Sequence, residues 1–589
     1  MRGPSGPDPP PSEPNVLLIV VDACRADALG PYGASVFDRR GEPGSDASHR
    51  PAETPAAASL AAGGTVFRRA ISPAPWTLPS ATSLLTGLDP AEHGATSLRY
   101  EYDGDRGRRP LQQALSSAGY RTIHLSPKTW IGDWLPQGSG FDRVDEFTGP
   151  DHRRFEGGRD VRELSRGVAR GPRWYATVIR RALAADAPLR SLGNAAAFKL
   201  SEATGDAWLD DVRASERAVR LADERFAEAA ANPDGRPFFM YVHLMDPHLP
   251  FYVPADHRTD AVRPPGCDDY ADERRYLASL MDDLWAIRTG DRRLSPDEVT
   301  YLRTRYADEV RYADRAVGRL LDSLNERGLS DRTVVVLTGD HGEHLGERVV
   351  ASDSRDGAEA TERTRDGTER TLLDHQASIR LPLLRVPLVA RYPGVFDGGE
   401  RTDLVQPHYV AETVRALAGL EYDPSRSLLP DDDHRSVARA SYEGVVRSHP
   451  PDGVPTEKLF RRRRTAVLGR WKLDLVVGDR SGPSESTATT GTVGSAGTGD
   501  SARFRASRID WGANEAETVP LDAIPDDVRT RLEDALGTID ASATDDAESA
   551  DEGSGGDAAV DRTGSDAGDA DERDIPAGVE DRLSQLGYR

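Results

Sequence analysis

Residues 15–21 read NVLLIVV, an apolar run unbroken from Val16 until Asp22. A strand with one face in water alternates apolar and polar side chains. A continuous β-branched run must instead be covered on both faces, and a globular chain achieves that in a parallel sheet with helices above and below. The segments RTIHLS (121–126), FFMYVHL (238–244), TVVVLTG (333–339) and VPLVARYP (386–393) are further strand candidates, with helix-like stretches such as 306–324 between them. This alternation predicts an α/β fold, a three-layer sandwich around a large mixed, mostly parallel central sheet, followed by a smaller C-terminal α+β subdomain.

The expected organisation is a disordered leader over 1–13, a catalytic domain over 14–400 and the C-terminal subdomain over 401–540. Residues 150–235, rich in Arg, Ala and Glu at helical spacing, read as a helical insertion capping the site. Stretches 351–370, 480–502 and 541–575 are Ser, Thr, Gly, Asp and Glu with few apolar residues, the composition of disorder, and 576–589 reads as a terminal helix.

The formal charge is −23, and the 75 basic residues are nearly all arginine, with lysine only at Lys128, Lys199, Lys458 and Lys472. Such a surface stays hydrated where salt screens charge, which suggests a halophilic setting and argues against a nucleic-acid partner. The N-terminus lacks a charged start followed by an apolar stretch, and no run approaches the roughly 18 apolar residues of a membrane span. The expectation is a cytoplasmic protein without stable membrane insertion. Cys24 and Cys267 read as buried free thiols rather than a disulfide or zinc site.

In open α/β sheets, functional groups gather beyond the carboxyl ends of strands. Asp22 follows the first strand, and Asp340 and His341 follow TVVVLTG. Two carboxylates and an imidazole suit one divalent cation, Mn, Zn or Ca, with a position left for a nucleophile or substrate oxygen. Between these segments lies APWTLPSATSLLTGLDPAEHG (74–94), in which Thr77 precedes a helix-like SATSLL. A helix start offers backbone N–H groups to an anion, although capping is the ordinary role of a threonine there.

The order NVLLIVVDACRADALGPYG, WTLPSATSLLTGLDPAEHG, FMYVHLMDPHLPF, TVVVLTGDHGEHLGE and SIRLPLLRVPLVARYPG resembles the sulfatase family of the alkaline-phosphatase superfamily. The resemblance covers most of 14–425. It implies that Asp22, Asp340 and His341 are metal ligands, and that Thr77 stands where the family has its metal-bound nucleophile. His248 and His375 match positions that contact the anion or protonate the leaving oxygen, and His243, Lys128 and Lys472 match substrate-binding positions. A second metal at Asp246, His248 and His375 is an open alternative, as is Asp27 as a further ligand. His93 reads as structural.

Two departures from the family pattern bear on the chemistry. Sulfatases of the formylglycine type carry Cys or Ser followed by Pro-Ser-Arg, whereas this chain reads Thr77-Leu78-Pro79-Ser80-Ala81. Many sulfatases also have two adjacent aspartates after the first strand, whereas Asp22 is followed by Ala23. Without formylglycine, the resemblance implies a small-molecule ester substrate with phosphate mono- or diesters favoured over sulfate esters, and hydrolysis or transfer as the outcome. A non-catalytic binding homologue is the remaining class.

Overall fold

The computed structural model describes residues 13–33, 53–96, 108–126, 140–146, 172–204, 214–231, 234–259, 266–349, 370–375, 378–442, 462–478 and 501–537, together with Phe155, Gly158, Arg159, Leu164, Arg263 and Pro264. Residues 1–12 of the leader, 351–369, 480–500, 541–575, 576–589 and Lys128 lie outside the described residues.

In chain order the first strands are β1 (Asn15–Val21), β2 (Thr65–Ile71), β3 (Arg121–Ser126), β4 (Arg143–Glu146), β5 (Phe238–Leu244) and β6 (Thr333–Gly339). A hairpin of β7 (His344–Val349) and β8 (Arg370–Asp374) follows, then β9 (Arg385–Val386), β10 (Leu388–Arg391) and β11 (Glu400–Val405). All but the hairpin form one sheet, ordered β11-β2-β10-β6-β1-β5-β3-β4 with β9 beside β2. Its centre is parallel: β1 lies between β5 and β6, running with both. β10 is antiparallel to β6 and β2, which makes the sheet mixed.

The first strand reports both faces of this sheet. Leu17, Ile19 and Val21 pack into one core with helices α1 (Pro55–Ala62), α6 (Ala214–Ala230) and α7 (Pro296–Glu326). Val16, Leu18 and Val20 pack into the other with α2 (Thr77–Thr86), α3 (Leu111–Ser117) and α8 (Tyr409–Leu417). Two covered faces are why the run needs no polar alternation, and the three layers match the expectation. Helices α4 (Pro172–Leu183) and α5 (Pro188–Thr204) sit between β4 and α6 in the chain and bury Trp174, Val178 and Ala182 in a small cluster of their own.

Several boundaries differ from the sequence reading. Within 150–235, α6 is no cap: Ala218, Ala222 and Phe226 are core residues of the sandwich. The second sheet begins at Val437 rather than near 401, since β11 pairs with β2 and α8 packs on the main core. That sheet is an antiparallel series of β12 (Val437–Tyr442), β13 (Arg463–Leu468), β14 (Trp471–Gly478), β15 (Ser501–Asp510) and β16 (Glu515–Val519), with α9 (Asp526–Leu536) packed on it. Residues 501–502, assigned to the disordered insertion, start β15, and Arg370 starts β8. Cys24 is buried, whereas Cys267 is only partly covered.

One buried ion network ties the loop after β1 to the loop after β6. The Arg25 guanidinium, fully buried, donates from Nε and Nη2 to Asp27 at 2.9 and 2.8 Å, and from Nη1 to the Glu343 carbonyl and the Glu347 carboxylate. Asp27 is therefore a partner of Arg25 rather than a metal ligand. Removing one member of a buried pair strands the other's charge away from water. The substitution Arg25→Met is expected to lower the free energy of unfolding by about 3–5 kcal/mol, read from urea denaturation; a loss below about 1 kcal/mol, the worth of a surface pair, would contradict burial of the network.

Candidate active site

The parallel register sets the frame. Val20 lies opposite His243, and Val21 opposite Leu244 on one side and Gly339 on the other. Asp22 and Asp340, each one residue past its strand, therefore leave the sheet side by side. Ligand atoms of Asp22, Asp340 and His341 lie within 4.8 Å of one another, all buried. His341 Nε2 is 3.4 Å from Asp22 Oδ1 and 3.6 Å from Asp340 Oδ2.

Backbone groups hold this cluster in place. Asp340 Oδ1 accepts from its neighbour His341 N–H at 2.8 Å and from Ala23 N–H at 3.2 Å. Ala23 has φ 54°, in the left-handed region that a Cβ disfavours, and that conformation accompanies its amide's bond to Asp340. The Tyr306 hydroxyl from α7 donates to the Ala23 carbonyl and accepts from Arg25 N–H, securing the same turn. His341 Nδ1 is 2.8 Å from the Gly342 carbonyl, a contact that calls for the proton on Nδ1 and turns the Nε2 lone pair to the carboxylates. Gly342 must lack a side chain: a Cβ there would stand 2.0 Å from the Pro382 carbonyl oxygen.

The electrostatics are those of a site built for positive charge. Burial raises the Asp340 carboxyl above its usual range, and the neighbouring Asp22 charge raises it further. Burial acts on Asp22 in the same sense but is overcome by His248, by the hydrogen bond from His243 and by His341, which together hold it below the usual carboxylate range. Asp22 Oδ1 and Asp340 Oδ2 are buried oxygens with no hydrogen-bond donor. Two such oxygens beside an imidazole lone pair fit one divalent cation by donor type and by spacing.

Thr77 is the first residue of α2 and is 1% exposed. The capping position falls on Trp76, so the threonine hydroxyl is not used as the helix cap. It lies 3.1 Å from His341 Nε2, facing the acidic cluster at the positive end of the helix dipole.

Among the remaining predicted residues the outcome is mixed. His375 is brought to the site, its ring centroid 4.4 Å from that of His341 and 4.9 Å from that of His248. Burial lowers the pKa of both His375 and His248. His243 has both ring nitrogens engaged: Nε2 meets Asp22 Oδ2 at 3.0 Å and Nδ1 meets the Tyr241 hydroxyl at 3.0 Å. That arrangement supports Asp22 and leaves no nitrogen for a substrate, contrary to the expected substrate-binding role. Lys472 is buried on β14 in an ion pair with Asp474, so its ammonium is held there rather than offered to a ligand. Asp246 meets the Ser215 hydroxyl and the Glu309 carboxyl, which removes it from the alternative second-metal set. His93 bonds Ser83 and the Pro79 carbonyl, a structural role as expected.

One residue was missed. Glu343 is fully buried, with Oε2 3.3 Å from His375 Nδ1 and burial pushing its carboxyl well above the usual range. Its place in DHGEHLGE, two residues after His341, was the available signal. His375 is fixed from its other side as well: Asp374 before it, at φ 68°, is ion-paired to buried Arg288 at 2.6 Å.

The protein is 27% identical over 368 residues to the multifunctional alkaline phosphatase superfamily protein PehA of Trinickia caryophylli, covering 56% of this chain and 64% of that one. It is 25% identical over 430 residues to arylsulfatase A of Homo sapiens, covering 69% and 64%. The chain thus spans just under two thirds of either curated relative. Among solved structures it is similar to the phosphonate monoester hydrolase from Silicibacter pomeroyi, at 18% identity and a TM-score of 0.46, covering 78% and 87%. A sequence model of the family named Sulfatase matches residues 14–420, and the chain belongs to that family.

Proposed function

We propose that the chain is a metal-dependent ester hydrolase or transferase acting through Thr77, with phosphate mono- and diesters as its preferred substrates. The observation that carries this reading is the Thr77 hydroxyl, buried at a helix start 3.1 Å from His341 Nε2 and beside the Asp22–Asp340 pair. A divalent cation held by Asp22, Asp340 and His341 would lower the hydroxyl pKa and offset negative charge on the ester oxygens. With that cation held, Thr77 would enter the reaction ionised, its proton passing to solvent. Its Oγ1 bonds to phosphorus as the bond to the leaving oxygen breaks, and that oxygen takes a proton from the imidazolium form of His375 or His248, which burial disfavours and the negative charge of the bound ester favours. A water or an acceptor alcohol then displaces Thr77 and returns a proton to the same imidazole.

Hydrolysis of sulfate esters is the second reading, favoured by relatives such as arylsulfatase A. Against it stands the nucleophile. A formylglycine hydrate expels sulfate by collapsing to an aldehyde, and threonine lacks the second hydroxyl that this needs. Release of sulfate from Thr77 would require a second attack at sulfur.

Three experiments test these assignments. Aryl phosphate, phosphodiester and sulfate substrates should be compared for wild type and Thr77→Ala, with mass spectrometry of the Thr77 peptide after trapping. Phosphorus esters should turn over, Thr77 should carry phosphate, and Thr77→Ala should lose about 10³-fold or more in kcat; turnover of the sulfate ester alone overturns the phosphate assignment. Elemental analysis should find one divalent cation per chain in wild type and little in Asp340→Ala; equal metal in both refutes the ligand set. Glu343→Ala should lower kcat by about 10–100-fold with metal content retained, and Glu343→Gln, which keeps an acceptor oxygen for His375 Nδ1, should recover most of it. Equal losses in the two Glu343 variants would exclude a positioning role.

A further inference from the structure

All the exposed large hydrophobic residues among the described residues fall within 155–189: Phe155, Tyr175, Ile179, Leu183 and Leu189. Three of them, Tyr175, Ile179 and Leu183, recur every fourth residue along α4 and so form one stripe on its surface. The helix has a second apolar stripe, Trp174, Val178 and Ala182, which packs against Leu192 and Ala195 of α5. The outer stripe is therefore not what holds the hairpin together. Leu189, 85% exposed, follows the turn into α5, and the Phe155 ring lies against Gly193 of the same helix.

The charge of this hairpin opposes that of the rest of the molecule. Residues 172–204 carry Arg173, Arg180, Arg181, Arg190 and Lys199 against Asp186 and Glu202, within a chain of net charge −23. Arg180 and Arg190 are exposed on the hairpin surface. A helix that couples an outward apolar stripe to arginines fits the boundary between headgroups and acyl chains of an anionic bilayer. A second copy meeting the same stripe would bring two hairpins of like net positive charge together. A copy offering its acidic body instead would make a heterologous, head-to-tail contact rather than a two-fold one.

We infer that the α4–α5 hairpin is a reversible docking surface for an anionic lipid bilayer, with Tyr175, Ile179, Leu183 and Leu189 entering the interface and Arg180 and Arg190 meeting the headgroups. Such a surface lies on the membrane without spanning it, and no described helix is long and apolar enough to cross one. The inference stands apart from the reaction proposed for Thr77.

Flotation of the full chain with phosphatidylglycerol vesicles and with phosphatidylcholine vesicles tests it. The protein should float with the anionic vesicles, and both Ile179→Glu with Leu183→Glu and Arg180→Glu with Arg190→Glu should weaken binding by about tenfold or more. Ester turnover in solution should be unchanged in both variants, because none of the four residues belongs to the site. Failure to bind, equal binding to both lipids, or binding that either variant leaves intact overturns the inference. So does self-association in the absence of lipid that the variants abolish, since the stripe would then be an interface between copies.

Discussion

The parallel pairing of β1 with β5 on one side and β6 on the other is the constraint on which the site depends. Parallel neighbours start and stop together, so three strands deliver their carboxyl ends to one edge of the sheet. Asp22, His243 and Asp340 meet there because Val20 is opposite His243 and Val21 opposite Gly339. A one-residue slip of β1 would exchange the two cores and turn Asp22 away from Asp340. The apolar run that fixes this register and the chemistry beyond it are therefore one requirement. The sequence cannot keep the site and lose the strand.

Bringing two carboxylates together out of water is costly, and the surrounding residues show how the cost is met in part. His243 and Tyr241 support Asp22 from within β5, while the Ala23 and His341 amides support Asp340. Around them, Arg25 joins Asp27, Glu347 and the Glu343 carbonyl, so the two ligand-bearing loops are held to each other and not only to the sheet. These contacts leave one oxygen on each aspartate unmatched. That remainder has the form of a cation's coordination sphere, and it explains why the stabilising groups stop short of full satisfaction.

What the sequence made legible follows from how local each signal is. β1, β3, β5 and β6 were readable because burial on both faces writes itself into consecutive residues. β2 was not, since Arg68 and Arg69 interrupt TVFRRAI: its ladder hydrogen bonds are made with β10 and β11, residues more than 300 positions away. α6 was misread as a cap because its polar face dominates its composition, while a few small residues and Phe226 do the packing. His243 and Lys472 fell at family-like positions, yet their partners Tyr241 and Asp474 lie two residues away on the same strand face, where side-chain contact depends on rotamer rather than spacing. Glu343 was in plain view but meaningless until His375, 32 residues later, was folded back against it.

The same distinction governs what Thr77 means. As a threonine before a helix it invites reading as a cap, and caps are interchangeable among Ser, Thr, Asp and Asn. With Trp76 taking the capping position, the hydroxyl is one residue inside the helix, in the cluster beside His341. There the demand is narrower. Asparagine would replace the hydroxyl with an amide, aspartate would add a third negative charge to a buried acidic pair, and serine would lack the methyl group that restricts χ1. A secondary alcohol with a branched Cβ has few rotamers open to it, and the one present here turns the Thr77 hydroxyl toward His341.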